Sequence, residues 1–173
     1  EHKRAGADPC QSDSARMRDS AKAMLTGNAI TTGYRISFLA NYLMGVIYAR
    51  VQADLGFNRA EAAILFCLAH MTPLSGIEIA EMTGRPRNSI SPAVGKLVRL
   101  GLIAKEPAEQ NRKIELLSLT EEGRAMSEKV VAYFVARERP MLEPLASPAE
   151  RELLDGLLAR LIFREDNWLD TTV

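Results

Sequence analysis

The sequence predicts a mainly α-helical fold carrying one small β-hairpin, and three observations predict it. Apolar residues recur at three- and four-residue spacing along most of the chain, the pattern of helices with one buried face. Serine, threonine or asparagine stands just ahead of several of these stretches, often with glutamate three residues on, a pairing that satisfies the free amides of a helix start. Between residues 102 and 119 the helical spacing gives way to two short extended pieces around a turn-rich stretch, as in a hairpin.

Taken in order, residues 1–30 form a polar leader in which Ser14 to Leu25 suits a short helix, punctuated by Gly27 and Asn28. Thr31 or Thr32 caps a long helix to about Leu55, with Ile36, Leu39, Ala40, Leu43, Val46, Ile47 and Val51 along one stripe. Gly56 and Phe57 stop it. Capping boxes at Asn58/Glu61 and Ser75/Glu78 open helices over 59–71 and 75–83. Thr120 precedes Glu121 and Glu122, acids that suit the positive end of a helix over 121–139. Ser147, Pro148 and Glu150 supply cap, first-turn proline and reciprocal acid for a helix over 148–163.

One further helix lies between Gly84 and Gly101, with Asn88 as its expected cap. Ile90, Val94, Leu97 and Val98 fall on one face. At about 100° per residue, Asn88, Pro92, Gly95 and Arg99 fall on the other, flanked by Arg85 and Lys96. Leu102 to Glu106 and Lys113 to Leu119 are the expected strands.

Composition bounds the function. The chain has 173 residues, 47% apolar and 25% charged, ordinary for a folded domain. Its apolar stretches are far shorter than the ~20 residues of a membrane span. Its first residues lack the apolar block of a secretory signal, so a cytoplasmic location with no membrane partner is expected. Two cysteines, Cys10 and Cys67, are too few for a disulfide framework or a zinc site. No histidine, cysteine or carboxylate set has metal-ligand spacing, and there is no phosphate loop, HExxH string or serine elbow. No catalytic residue, metal or cofactor is therefore expected, and the chain does not read as an enzyme.

Zero net charge hides an uneven distribution. Residues 85–113 hold Arg85, Arg87, Lys96, Arg99, Lys105, Arg112 and Lys113 against Glu106 and Glu109, a local net charge of +5. From residue 114 onward, twelve acids face seven basic groups. A basic block alone fits a solvated face as well as a polyanion site. The helix order around it favours the polyanion: three short helices and a hairpin make a winged helix-turn-helix. The outward face of the third helix, Asn88, Pro92 and Gly95, is slim enough to approach base edges in a major groove. Arg85, Arg87, Lys96 and Arg99 ring it, and Ser89 and Ser91 add hydroxyls near the helix start. On the hairpin, Lys105, Asn111, Arg112 and Lys113 can reach phosphate or an adjacent minor groove.

The strings GFNRAEAAILFCLA, SGIEIAEMTGRPRNSISPAVGKLVRLGLI and NRKIELLSLTEEG resemble the second helix, the helix-turn-helix and the wing of the MarR family of bacterial transcription regulators. YRISFLANYLMGVIYARV is similar to that family's first helix, so the resemblance covers most of the chain. It implies a homodimer with interlocked first and last helices, and a ligand cleft between the dimer and DNA-binding regions. It further implies repression of nearby genes. On that basis residues 58–120 are expected to form the DNA-binding domain, and 31–57 with 121–173 the helical dimerisation region. Two departures stand out. The family's wing carries Asp-x-Arg where this chain has Asn111-Arg112-Lys113, which removes a charge and the planar guanidinium. Pro92 removes an amide donor about one turn into the recognition helix.

Leu153, Leu154, Leu157, Leu158, Leu161 and Ile162 make a row that suits either burial on the preceding helix (Met126, Val130, Phe134) or, favoured for an elongated subunit, a twofold interface. Phe38, Tyr42, Phe66 and His70 could border the ligand cleft that the resemblance implies, although aromatics at helical spacing are more often core. The expected function is sequence-specific binding of double-stranded DNA by a homodimeric, effector-responsive repressor at a pseudo-palindromic operator. The alternatives are a thiol redox sensor using Cys10 or Cys67, and a winged-helix module that binds protein instead of DNA.

Overall fold

The computed structural model describes residues 19–163. The chain falls into two compact units, Glu1–Gly45 and Val46–Val173. In the first unit, residues 19–27 are helical (α1), and α2 (Thr31–Leu55) begins after a short turn. Asn28 organises that turn by accepting the Ile30 amide at 2.8 Å. Thr31 is the first helical residue, and its hydroxyl donates to the Asn28 carbonyl at 2.9 Å instead of accepting an amide as a cap would.

In the second unit, residues 46–55 of α2 are followed by α3 (Arg59–His70), α4 (Gly76–Thr83), α5 (Arg87–Arg99), α6 (Glu121–Leu142) and α7 (Pro148–Ile162). Strands β1 (Leu74–Ser75), β2 (Ile103–Pro107) and β3 (Glu115–Leu119) form an antiparallel sheet ordered β1-β3-β2. α3 is the centre of the packing and lies against α4, α5, α6 and β3. It reads apolar almost all round, and Ala62, Ile64 and Leu65 are fully buried, as expected of a helix covered on every side. Ile79, Ile90, Leu97, Leu117 and Val130 close on it from the other elements.

All three capping boxes form, at Asn58/Glu61, Ser75/Glu78 and Ser147/Glu150. α4 ends where Gly84 takes a left-handed φ of 61°, a conformation glycine adopts without steric cost. Three further sequence expectations need correction, and one strand was not expected. Asn88 is not a cap: α5 starts after Pro86, which makes no side-chain cap bond. Instead both the amide and the hydroxyl of Ser89 donate to the Pro86 carbonyl, at 2.9 and 2.8 Å. The second strand starts at Glu115, because Lys113 and Ile114 belong to the turn that Ile114 N–H closes onto the Asn111 carbonyl at 2.9 Å. α6 runs past Pro140 to Leu142, since a proline in the last turn breaks few helical bonds. β1, which pairs Leu74 with Leu117 and Ser75 with Leu116, went unpredicted because two residues carry no periodicity.

Candidate nucleic-acid interface

α4 and α5 meet at a tight turn, and the β2–β3 hairpin lies beside α5. The sequence periodicity separates the faces of α5 as expected. Ile90, Ala93, Val94 and Leu97 are buried, whereas Asn88, Pro92 and Arg99 are exposed. The helix runs through Pro92 without ending. Gly95 keeps the outward surface low, and the Arg99 guanidinium lies 3.5 Å from where a Gly95 Cβ would stand.

Between the first half of α5 and the hairpin runs a groove of about 330 Å³. Arg87 and Ser91 line it from α5, Lys105 from β2 and Lys113 from the turn, with Ile90, Ile114 and Leu117 among its apolar lining. Three cations and a hydroxyl converging on one trough give it the character of a candidate site for a polyanion backbone. Lys105 Nζ also lies 2.7 Å from Glu115 Oε2, in a pair open to solvent. An exposed pair of this kind holds weakly and can be exchanged for phosphate.

The hairpin tip is ordered by its own asparagine. Asn111 Oδ1 accepts the Lys113 amide at 3.1 Å, and the Ala108 amide donates to the Ile114 carbonyl at 2.8 Å. An Asx turn of this type is the hydrogen bonding that remains to an amide in the place of an acid. Arg112 is exposed at the tip.

Two of the sequence-selected cations are engaged elsewhere. The Arg85 guanidinium stands 5.7 Å from the centroid of the Tyr48 ring, which Arg59 also approaches at 5.1 Å. Lys96 Nζ lies 2.8 Å from Oε2 of the buried Glu61. Neither relation was visible in the sequence, because each partner sits on a different helix.

The cleft residues divide between the two units, and each pair is local. Phe38 and Tyr42 have ring centroids 4.4 Å apart in the first unit. In the second, Phe66 meets His70 at 4.4 Å and Phe134 at 4.3 Å, and Phe134 meets the edge of Tyr48 at 6.0 Å. His70 Nδ1 is 2.8 Å from the Phe66 carbonyl. A separate cavity of about 800 Å³ lies between the end of α3 and one face of α6. Of the four selected residues only His70 lines it. The others include Leu68, Arg124, Glu128, Val131, Val135 and Arg139. Their three- and four-residue spacing on α6 was the signal available in the sequence. Burial pushes the Cys67 thiol up from its ordinary range, which favours the unreactive protonated form. Cys10 lies outside the described residues. Among those described, no three His, Cys, Asp or Glu side chains are placed to hold a metal, and no helix is long and apolar enough to cross a membrane.

α7 has no buried residue. Leu153, at 63% exposure, heads a row with the exposed Leu157, Leu161 and Ile162, and Leu154 and Leu158 are only half covered.

Comparison with known proteins agrees with this architecture. A family model described as "MarR family" matches residues 55–114. An uncharacterised HTH-type transcriptional regulator of Bacillus subtilis, YdgJ, is 26% identical over 118 residues, covering 67% of this chain and 70% of its own. A MarR/EmrR family transcriptional regulator from Acinetobacter superposes with a TM-score of 0.65 at 25% identity, over 75% of this chain and 91% of that one. The transcriptional repressor CouR, solved bound to a 23-mer DNA duplex, has a TM-score of 0.60 at 22% identity, over 80% of this chain and 95% of its own.

Proposed function

We propose that this chain, a MarR-family winged helix-turn-helix regulator, binds double-stranded DNA sequence-specifically as a homodimer and represses transcription from a pseudo-palindromic operator. The observation that carries this reading is the groove between α5 and the hairpin, where Arg87, Ser91, Lys105 and Lys113 converge beside the slim outward face of α5. Cations in such a trough hold phosphates on either side of a groove while the outward face reaches base edges. A repressor of the same fold has been captured on a DNA duplex.

The domain division follows from the same reading. Residues 58–120 bind DNA, while 31–57 and 121–173 dimerise, after a leader over 1–30. The exposed row on α7 supports burial against a second copy, because the described residues leave its leucines uncovered. Two recognition helices related by a twofold axis would then meet major grooves about 34 Å apart. The cavity on α6 supports a small-molecule effector, with apolar walls and Arg124, Arg139 and His70 around it. A chain of this kind acts in the cytoplasm, where its DNA is.

Selection of bound sequences from a random duplex pool tests the proposal. Two inverted half-sites about one helical turn apart are expected. Failure to enrich any sequence, with binding insensitive to salt, overturns it.

A further inference from the structure

The recognition helix is gripped at a point that the groove does not explain. Glu61 is the third residue of α3, and its side chain is only 3% exposed. Oε1 accepts from Asn58 Nδ2 at 2.8 Å, while Oε2 accepts the Asn58 amide at 2.9 Å and Lys96 Nζ at 2.8 Å. Lys96 Nζ also donates to the Gly56 carbonyl at 3.3 Å and stands 5.9 Å from the Phe57 ring centroid. One carboxylate therefore caps α3 and holds the second half of α5, and one ammonium ties α5 to the segment that leads into α3.

We infer that Lys96 and Glu61 form a positioning pair for DNA recognition: Lys96 fixes the rotation of α5 through Glu61 and does not hold phosphate. The inference rests on the DNA-binding reading above. A lysine that left Glu61 for a phosphate would leave a buried carboxylate held by its Asn58 bonds but without the Lys96 counter-charge, and losing the counter-charge of a buried group costs more than an exposed contact returns. Lys105 shows the contrast, because its partner Glu115 is open to solvent at 59%. Lys96 adjoins Leu97, which is fully buried, and Gly95, on the outward face. A pull at this position therefore sets the angle at which Asn88, Pro92 and Arg99 are presented together. Base-edge contacts depend on that angle, whereas phosphate contacts through long side chains tolerate change in it.

The test uses the full chain with K96Q, K96R, E61Q, the K96Q/E61Q double variant and R87A. Fluorescence anisotropy follows binding to a selected duplex and to a scrambled one over a range of salt. K96Q is expected to cut the preference for the selected duplex by roughly tenfold, the effect of one good base contact, with its salt slope unchanged. R87A should lower the slope by about one unit. E61Q, which cannot approach DNA, should reduce the preference as K96Q does. The double variant should be no worse than either single change, and K96R should restore the preference. If K96Q fails to fold, the isosteric E61Q carries the same test of preference and slope. A K96Q slope lowered by about one unit, with equal weakening on both duplexes and a silent E61Q, overturns the inference and makes Lys96 a phosphate contact. A wild type that binds no duplex overturns the DNA-binding reading, and this one with it.

Discussion

A Cβ placed on Gly123 would collide with the carbonyl oxygen of Leu102. The same carbonyl accepts the Thr120 amide at 3.1 Å, and the Thr120 hydroxyl donates to the neighbouring Gly101 carbonyl at 2.7 Å. The start of α6 is thus seated on the backbone entering β2. Gly123→Ala must push these two segments apart. Overpacking of this kind costs about 1–3 kcal/mol, equivalent to a fall in melting temperature of several degrees for a chain of this size, at ~2–4 °C per kcal/mol. Thermal unfolding by circular dichroism measures it. A melting temperature within about 1 °C of wild type, well under what 1 kcal/mol would shift, would show that α6 can slide away freely.

The leucine row of α7 gives a second expectation. Leu153 and Leu157 are exposed and no residue of α7 is buried among the described residues, which is the basis for the proposed dimer contact. Replacing Leu157 and Leu161 together by glutamate should convert a dimer at micromolar concentration into monomers in analytical ultracentrifugation. Both residues are themselves exposed, so the helical circular dichroism should change little. An unchanged dimer mass places the interface elsewhere.

The capping box of α4 predicts a pH response. Glu78 Oε2 receives the Ser75 amide and hydroxyl, both at 2.7 Å, and these bonds hold its carboxyl below the ordinary glutamate range. A carboxyl lowered in the folded state adds stability at pH values above its unfolded value of about 4.3. That contribution is lost as pH falls through the lower folded value. NMR titration should therefore place Glu78 below an unstructured glutamate, and amide exchange in the first turn of α4 should quicken in the same acid range. Ser75→Ala keeps the backbone amide, the larger cause, and removes the hydroxyl, so it should return Glu78 only part of the way toward the ordinary value. A normal titration in the wild type would mean that the box is open in solution.

The helices were legible in the sequence because their signals are local. Asn58 and Glu61, or Ser147 and Glu150, declare a helix start within four residues. The outward and inward faces of α5 follow from its spacing alone. What escaped depends on residues far apart in the chain. Lys96 reads as a free cation until folding brings it to Glu61, 35 residues away. The cavity is lined by Arg124, Glu128 and Val135, whereas Phe66 packs against Phe134. A two-residue strand such as β1 exists only through its partner β3.

The wing tip tests how far an amide can replace an acid. Asn111 Oδ1 already accepts the Lys113 amide, so the turn itself does not require a charge. What the amide lacks is a charge to hold the Arg112 and Lys113 side chains, both of which are exposed. These cations should then add mainly sequence-independent attraction, of the kind that falls with salt. Asn111→Asp preserves the acceptor, strengthens the bond to the Lys113 amide by adding charge, and offers the two cations a partner. Any A·T preference beside the half-site should sharpen, because an oriented cation reads a narrow minor groove better than a loose one. The new charge also stands near phosphate and opposes binding, so total affinity should stay within about 1 kcal/mol of wild type. Asn111→Ala is the necessary partner variant, since it removes the acceptor and should loosen the turn, which faster exchange of the Lys113 amide would report. Affinities for A·T-flanked and G·C-flanked duplexes decide the matter. Strong discrimination by the wild type, unchanged in both variants, would mean that the side chains at the tip are oriented by something other than residue 111.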